Sequence, residues 1–281
     1  MTVKIIAVDM DGTFLNNDKK YNKTRFLQQY QQLKQRGIHF VVASGNQRAT
    51  LQHYFPEIKD DIAFIAENGA YVVDANQEVA FAHFTLPLVQ QMQKTLSEMY
   101  AGAVILCGKK GAYIDASVLD KNLEKLNKYF KQLQQVNDFT CVDDQICKIT
   151  LDARDYPFEQ MYQSLTELSF IANGAVKMVS SGFGFIDLIV PNQHKANGLK
   201  QLQQRWNVPT AQILAIGDNF NDLEMVQYAG FGFAIANAVD ELKQVANFVT
   251  VKTNEEEAVL DVIDQVLQAE FPFDAAHQKS A

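Results

Sequence analysis

The sequence predicts an α/β protein in which a parallel-sheet core domain is interrupted by a smaller, inserted α+β domain. Three observations carry this expectation. Apolar runs of strand length alternate with stretches of helical periodicity at both ends of the chain, as βαβ units require. The alternation changes character in the middle, where short strands and helices follow a different rhythm. Polar residues stand directly behind several of the apolar runs, the place where open α/β sheets bind ligands. With 281 residues the chain is long enough to bury two cores. The core domain is expected over 1–84 and 187–281, and the insertion over 85–186.

The first apolar run lies in Lys4 to Asp9 and has no polar alternation, as in a central strand covered on both faces. It ends on Asp9-Met10-Asp11-Gly12-Thr13. Asn22 can cap a helix in which Phe26, Tyr30 and Leu33 share one face, and Gly37 stops it. Ile38 to Ala43 reads as a second strand and ends on Ser44-Gly45. A helix over Asn46 to Tyr54 is closed by Pro56, and a third strand over Ile62 to Ala66 runs into Glu67-Asn68-Gly69. Asn-Gly between apolar segments signals a hairpin. Antiparallel strands are therefore expected around Tyr71 to Val73 and Val79 to Phe84.

Within the insertion, Leu88, Met92, Leu96 and Met99 form one helical stripe, and Leu119, Leu123, Leu126 and Phe130 a second. Both read as core faces. Strands are expected at Ala103 to Leu106, Ala112 to Asp115, Cys147 to Leu151 and Val176 to Val179. The alternation resumes after Pro191 with a helix over Lys195 to Trp206 and a strand over Ile213 to Gly217, followed by Asp218. Asn221 to Ala229 is a helix stopped by Gly230, and Phe231 to Ala236 another strand. Thr253-Asn254-Glu255-Glu256 has the spacing of a capping box opening a last helix through Leu267. The tail from Phe271 lacks periodicity, and the Gln clusters at 28–32, 132–135 and 201–204 read as solvated helix faces.

Composition narrows the function. A net charge of −8, from 25 basic and 33 acidic residues, argues against an extended nucleic-acid surface, so any anion site must be local. No apolar run approaches the roughly 18 residues that span a bilayer, and Met1-Thr2-Val3-Lys4 leads into the first strand without a signal peptide. Cys107, Cys141 and Cys147 cannot all pair within the chain and show no metal spacing. They read as reduced, buried thiols of a cytoplasmic protein. The five histidines show no metal spacing either.

Two carboxylates one residue apart at the end of a buried strand call for a cation, because each costs several kcal/mol to desolvate alone. A hard divalent ion such as Mg²⁺ answers that need with one or two carboxylates plus phosphate and water. Ser44/Gly45, Lys195 and Asp218 with Asn221/Asp222 also fall at strand ends or the turns beyond them, as candidates for one site. Together DMDGT, SGN, Lys195-Ala196-Asn197-Gly198-Leu199 and GDNFND resemble the four ordered motifs of the haloacid dehalogenase-like superfamily. The large insertion between the second and third motifs resembles its Cof-type phosphatases, with a Rossmann-like core and an α/β cap.

The resemblance implies a Mg²⁺-dependent phosphatase of small phosphorylated metabolites, sugar phosphates first. Asp9 would be the nucleophile and form an aspartyl-phosphate, and Asp11 would protonate the leaving alkoxide and then take a proton from water. Asp9, the Asp11 carbonyl and Asp218 would hold the metal, with Asp222 ordering a bound water behind it and Thr13 bracing the loop. Ser44, Gly45, Lys195 and Asn221 would bind the phosphoryl oxygens. Asn46 departs from the Arg common after Ser-Gly in such relatives, so one positive charge near the substrate is missing or comes from elsewhere. Related enzymes include sugar phosphomutases, and a non-catalytic phosphometabolite sensor would keep the same fold; both stand as alternatives. The implied partner is the small phosphorylated substrate, with no nucleic acid and no membrane, and the chain acting as a monomer or weak homo-oligomer.

Overall fold

The computed structural model describes residues 3–118, 120–182 and 184–268. Leu119 of the second helical stripe and the tail from Phe271 lie outside the described residues. Contacts divide the chain into two compact units, one made of 1–44, 55–80 and 194–281, the other of 45–54 and 81–193.

The first unit opens with β1 (Ile5–Val8), whose four apolar residues are all fully buried. The chain continues through α1 (Lys23–Gln35), β2 (His39–Ala43), α2 (Arg48–Tyr54), which groups with the second unit, β3 (Ala63–Ala66), β4 (Tyr71–Asp74) and β5 (Gln77–Phe81). Asn22 caps α1 by accepting from the Arg25 N–H. Phe26, Tyr30 and Leu33 bury the face their spacing predicts. Phe26 joins Phe14, Tyr21, Phe40 and Phe55 in one aromatic cluster, the Phe14 and Phe26 rings meeting edge-on at 5.0 Å. Such pairs add to plain area burial.

The second unit contains α3 (Leu86–Met99), β6 (Val104–Gly108), β7 (Ala112–Asp115), α4 (Asp120–Leu126), β8 (Leu133–Val136), β9 (Ile146–Asp152), α5 (Phe158–Thr166), α6 (Ser169–Ala172), β10 (Lys177–Gly182) and β11 (Phe185–Ile189). Among the described residues its sheet has six strands in the order β10-β11-β9-β6-β7-β8, antiparallel except for the β7–β8 pair. The break expected at 186 falls inside β11, and the unit runs on to Gln193. Gln134 and Gln135 lie in β8 and not on a helix face; their side chains leave a short edge strand exposed, which a polar run suits. Met99 is 40% exposed, while Val89, Met92 and Leu96 carry the buried stripe of α3. Cys141 is exposed and only Cys107 and Cys147 are buried.

The first unit resumes with α7 (Lys195–Trp206), β12 (Ile213–Gly217), α8 (Leu223–Tyr228), β13 (Phe231–Ala234), α9 (Asp240–Val245), β14 (Phe248–Val249) and α10 (Ala258–Gln268). Among the described residues its sheet has eight strands in the order β14-β13-β12-β1-β2-β3-β4-β5. The strands from β14 to β3 are parallel, and β4 turns back antiparallel to β3 after the Asn-Gly signal. Thr253 and Glu256 form the capping box, but Glu257 is left-handed and delays α10 to Ala258. Gln29, expected on a solvated face, is buried and donates to the Leu260 carbonyl and to Asp264. Arg25 joins it by bonding Glu257, Asp261 and Asp264, so α1 and α10 are locked together.

His39, at the start of β2, stacks on Trp206 at the end of α7 with ring centroids 3.9 Å apart. Burial lowers its pKa, with Lys4 adding to the effect and Asp74 opposing it. The folded protein therefore holds fewer protons here than the unfolded chain just below the free-histidine pKa of about 6.5. Stability from this site is full above that pH and falls as the pH drops toward the lowered value. Urea midpoints measured between about pH 5 and 7 should decline more steeply toward acid in the wild type than in His39→Phe, which keeps a stacked ring without the titration.

Candidate active site

In a parallel sheet the carboxyl ends of all strands face one edge, and here β12, β1, β2 and β3 are neighbours in that order. Asp218, Asp9, Ser44 and Glu67-Asn68-Gly69 follow those four strands directly. The sheet thus aligns groups that are far apart in sequence. Lys195 enters from the first residue of α7.

Lys195 is fully buried, and its ammonium bonds Asp9 Oδ1 and Asp222 Oδ1 at 2.6 Å each. Burial works against its charge, but Asp222 and Asp9 outweigh that and hold it protonated. The other oxygen of Asp222 accepts the backbone N–H groups of Asp218 and Asn219 at 3.0 and 3.1 Å. Asp222 is therefore spent on the lysine and on folding the turn after β12. Thr13 donates its hydroxyl to Asp218 Oδ1 at 2.7 Å.

One ammonium faces three acids. Burial holds Asp9 well above the usual carboxylate range, with Lys195 pulling it down and Asp222 and Asp218 pushing it up. Burial and the Asp222 charge raise Asp218 to about 6 against the Thr13 hydrogen bond. Carboxylate oxygens of Asp9, Asp218 and Asp222 lie within 4.8 Å of one another. A pocket short of positive charge and offering only hard oxygen donors fits a divalent cation of the Mg²⁺ kind. The backbone leaves room for it: Gly12 has φ +84°, and a Cβ there would come 2.5 Å from Asp218 Oδ2.

The other expected residues are placed as follows. The Asp11 carboxylate is outside the acidic cluster and accepts from Lys19 Nζ at 2.7 Å. Ser44 is buried, its N–H donating to the Ile65 carbonyl and its own carbonyl accepting from the Asn68 N–H. Asn221 donates its amide to Asn68 Oδ1 at 3.3 Å. Gly45 groups with the second unit, where its carbonyl accepts from Lys148 Nζ at 3.0 Å. Lys148 is itself buried beside Asp187, 3.5 Å away, whose other oxygen takes the Thr150 hydroxyl at 2.6 Å.

Lys19, Asn68, Lys148 and Asp187 were not marked by the sequence. Lys148 and Asp187 did carry a signal: each is a charge at a strand position whose neighbours are apolar, in Cys147-Lys148-Ile149 and Ile186-Asp187-Leu188. Buried charges of opposite sign in two strands of one sheet pair with each other.

Acids and a buried lysine at the carboxyl ends of neighbouring parallel strands stand where α/β enzymes bind and process their ligands. A family model described as haloacid dehalogenase-like hydrolase matches residues 6–263. The chain belongs to that family and is a phosphoric monoester hydrolase. It is 42% identical over 275 residues to an Escherichia coli protein named 5-amino-6-(5-phospho-D-ribitylamino)uracil phosphatase, covering 98% of this chain and 100% of that one. A Bacillus subtilis protein of the same name is 28% identical over 91% of this chain and 94% of its own length. The solved structure of a Streptococcus mutans protein, 34% identical, superposes with a TM-score of 0.85 over 95% of this chain and 100% of that chain.

Lys195→Met removes the ammonium and leaves Asp9 and Asp222 buried together. The loss should be about 3–5 kcal/mol in urea unfolding near neutral pH. It should shrink at about pH 5, where the stranded carboxyls can protonate. An equal loss at both pH values would show that the cost is packing alone.

Proposed function

We propose that the protein hydrolyses the phosphate monoester of a small metabolite whose phosphate sits on a polyol chain. The first substrate to test is 5-amino-6-(5-phospho-D-ribitylamino)uracil, with sugar phosphates next. The observation carrying this choice is the 42% identity, over 98% of this chain and 100% of the other, to the Escherichia coli phosphatase of that name. A ribityl phosphate and a sugar phosphate present the same primary phosphate on a hydroxylated carbon chain, so the two readings share one reaction.

In this reading the Asp9 carboxylate attacks phosphorus in line with the leaving oxygen. The bond from phosphorus to the substrate oxygen breaks, and the departing alkoxide takes a proton from Asp11. Water then attacks the aspartyl-phosphate, giving its proton back to Asp11, and free phosphate leaves Asp9. Lys195 supports this role because it fixes one Asp9 oxygen and brings positive charge to the phosphoryl group. The Ser44 hydroxyl, the Gly45 N–H and the Asn221 amide are the remaining donors for phosphoryl oxygens.

Mg²⁺ would be held by Asp9, Asp218 and the Asp11 carbonyl, with Asp222 fixing the turn behind them. When bound, it supplies charge neutralisation on the phosphoryl oxygens. The second unit would act as a cap that selects the substrate and excludes water. A cytoplasmic setting is part of this reading, and no described helix is long and apolar enough to cross a membrane.

Phosphate release should be measured from the ribityl phosphate, a panel of sugar phosphates and an aryl phosphate, with Mg²⁺ and after chelation. Steady release that needs the ion and is strongest with the ribityl phosphate is expected, and absence of turnover on every ester would sink the proposal. Transfer of phosphate between sugar positions without steady release would instead mark a mutase. Asp9→Asn should lower kcat by at least about a thousandfold while the protein stays folded by circular dichroism.

A further inference from the structure

Asn68 sits in a turn that costs more than a hairpin needs. Glu67, Asn68 and Gly69 have φ of +52°, +55° and +99°, three left-handed residues in a row of which only the last is glycine. Left-handed backbone is disfavoured for L-residues, and asparagine is among those that tolerate it best. A two-residue Asn-Gly turn would close β3 onto β4 more simply. The β3–β4 register instead pairs Ala66 with Tyr71 and leaves four residues outside the ladder. Strain of this kind persists where the surroundings hold it in place.

The conformation directs Asn68 away from its own hairpin. Its N–H donates to the Ser44 carbonyl at 3.1 Å, and its side-chain Oδ1 accepts from Asn221 Nδ2 at 3.3 Å. Across a trans peptide the carbonyl of one residue and the N–H of the next point in opposite directions. Fixing the Ser44 carbonyl therefore aims the Gly45 N–H the other way. Ser44 is held from its other side by its own N–H on the Ile65 carbonyl at 2.9 Å. The turn is also wedged against the residue before Lys195: a Cβ on Gly69 would lie 2.3 Å from the His194 carbonyl oxygen.

We propose that Asn68 is a positioning residue of the phosphate site, setting the Ser44–Gly45 peptide through its backbone N–H and the Asn221 amide through its side-chain oxygen. The inference rests on the reading of Ser44, Gly45 and Asn221 as phosphate ligands. Asn68 does not touch the reacting atoms. It acts by removing the freedom that two donors on two separate segments, the Gly45 N–H and the Asn221 amide, would otherwise lose when the phosphate arrives.

Asn68→Gly separates the two links, since glycine keeps the left-handed backbone and the bond to Ser44 but loses the acceptor for Asn221. Inorganic phosphate is the probe, read both as a competitive inhibitor of aryl phosphate hydrolysis and by the thermal shift it produces. Asn68→Gly should raise KM and the phosphate inhibition constant about tenfold with kcat little changed, the size of one lost hydrogen bond. Asn221→Ala, which removes the donor itself, should weaken phosphate at least as much, and Asn68→Gly should add almost nothing in the Asn221→Ala background. Asn68→Ala, which disfavours the left-handed backbone, should weaken phosphate further than Asn68→Gly. Unchanged phosphate binding in Asn68→Gly, or independent multiplication of the Asn68→Gly and Asn221→Ala effects, would overturn the proposal. If Ser44→Ala and Asn221→Ala also leave phosphate binding unchanged, the ligand assignment itself fails; if those two weaken it and Asn68→Gly does not, only the positioning role fails.

Discussion

The site depends on one buried ammonium held between two carboxylates. Lys195 bonds Asp9 and Asp222 at 2.6 Å each without solvent exposure, and through them ties the end of β1, the start of α7 and the turn after β12. Removing any one partner strands a charge in a low-dielectric interior, so the three elements are held in a common arrangement. The same pairing leaves the pocket electrically incomplete. Asp218, which accepts the neutral Thr13 hydroxyl, is raised to about 6 by burial and by the Asp222 charge. The protein thus folds around a deficit of positive charge that a divalent cation can meet.

Much of this was legible in the sequence because the physics that makes a strand or a helix acts over a few residues. The bounds of α7 and β12 fall where Lys195 to Trp206 and Ile213 to Gly217 were read, since buried helix faces and doubly covered strands leave strong periodic marks. Asp9, Ser44 and Asp218, which follow β1, β2 and β12, are marked for the same reason, and Lys195, which opens α7, by its motif. What escaped depends on pairing across the chain. Gln134 and Gln135 look like a solvated helix face until β7 provides a partner for β8. Gln29 looks solvated until α10 arrives to accept its hydrogen bonds. Asn68 carried the correct signal for a reversal, and the chain does reverse there, but its links to Ser44 and Asn221 exist only in three dimensions.

The second unit repeats the theme of a buried charge fixed by its neighbours. Lys148 and Asp187, in strands joined directly by the ladder that pairs β9 with β11, are buried together with Thr150. Its lysine also bonds the Gly45 carbonyl. Since Gly45 follows Ser44, the boundary between the two units passes through the middle of one motif. A domain border drawn from sequence rhythm at residue 85 could not register this, because α2 is short and flanked by residues of the core unit. Asn46 stands one residue further along the same segment.

The place of β1 in its sheet has a consequence for biogenesis. Its left and right neighbours are β2, made early, and β12, made near the end of the chain. At synthesis rates of about 5–20 residues per second, the interval between them is on the order of ten to forty seconds. Throughout that time Ile5, Ile6 and Val8 present an apolar strand with one bare edge, a template for pairing with another chain. The second unit, whose strands all lie within 104–189, can complete its sheet while that edge is still waiting. The strand that leads into Asp9 is thus made well before its second neighbour, and its edge toward β12 is among the last to be protected.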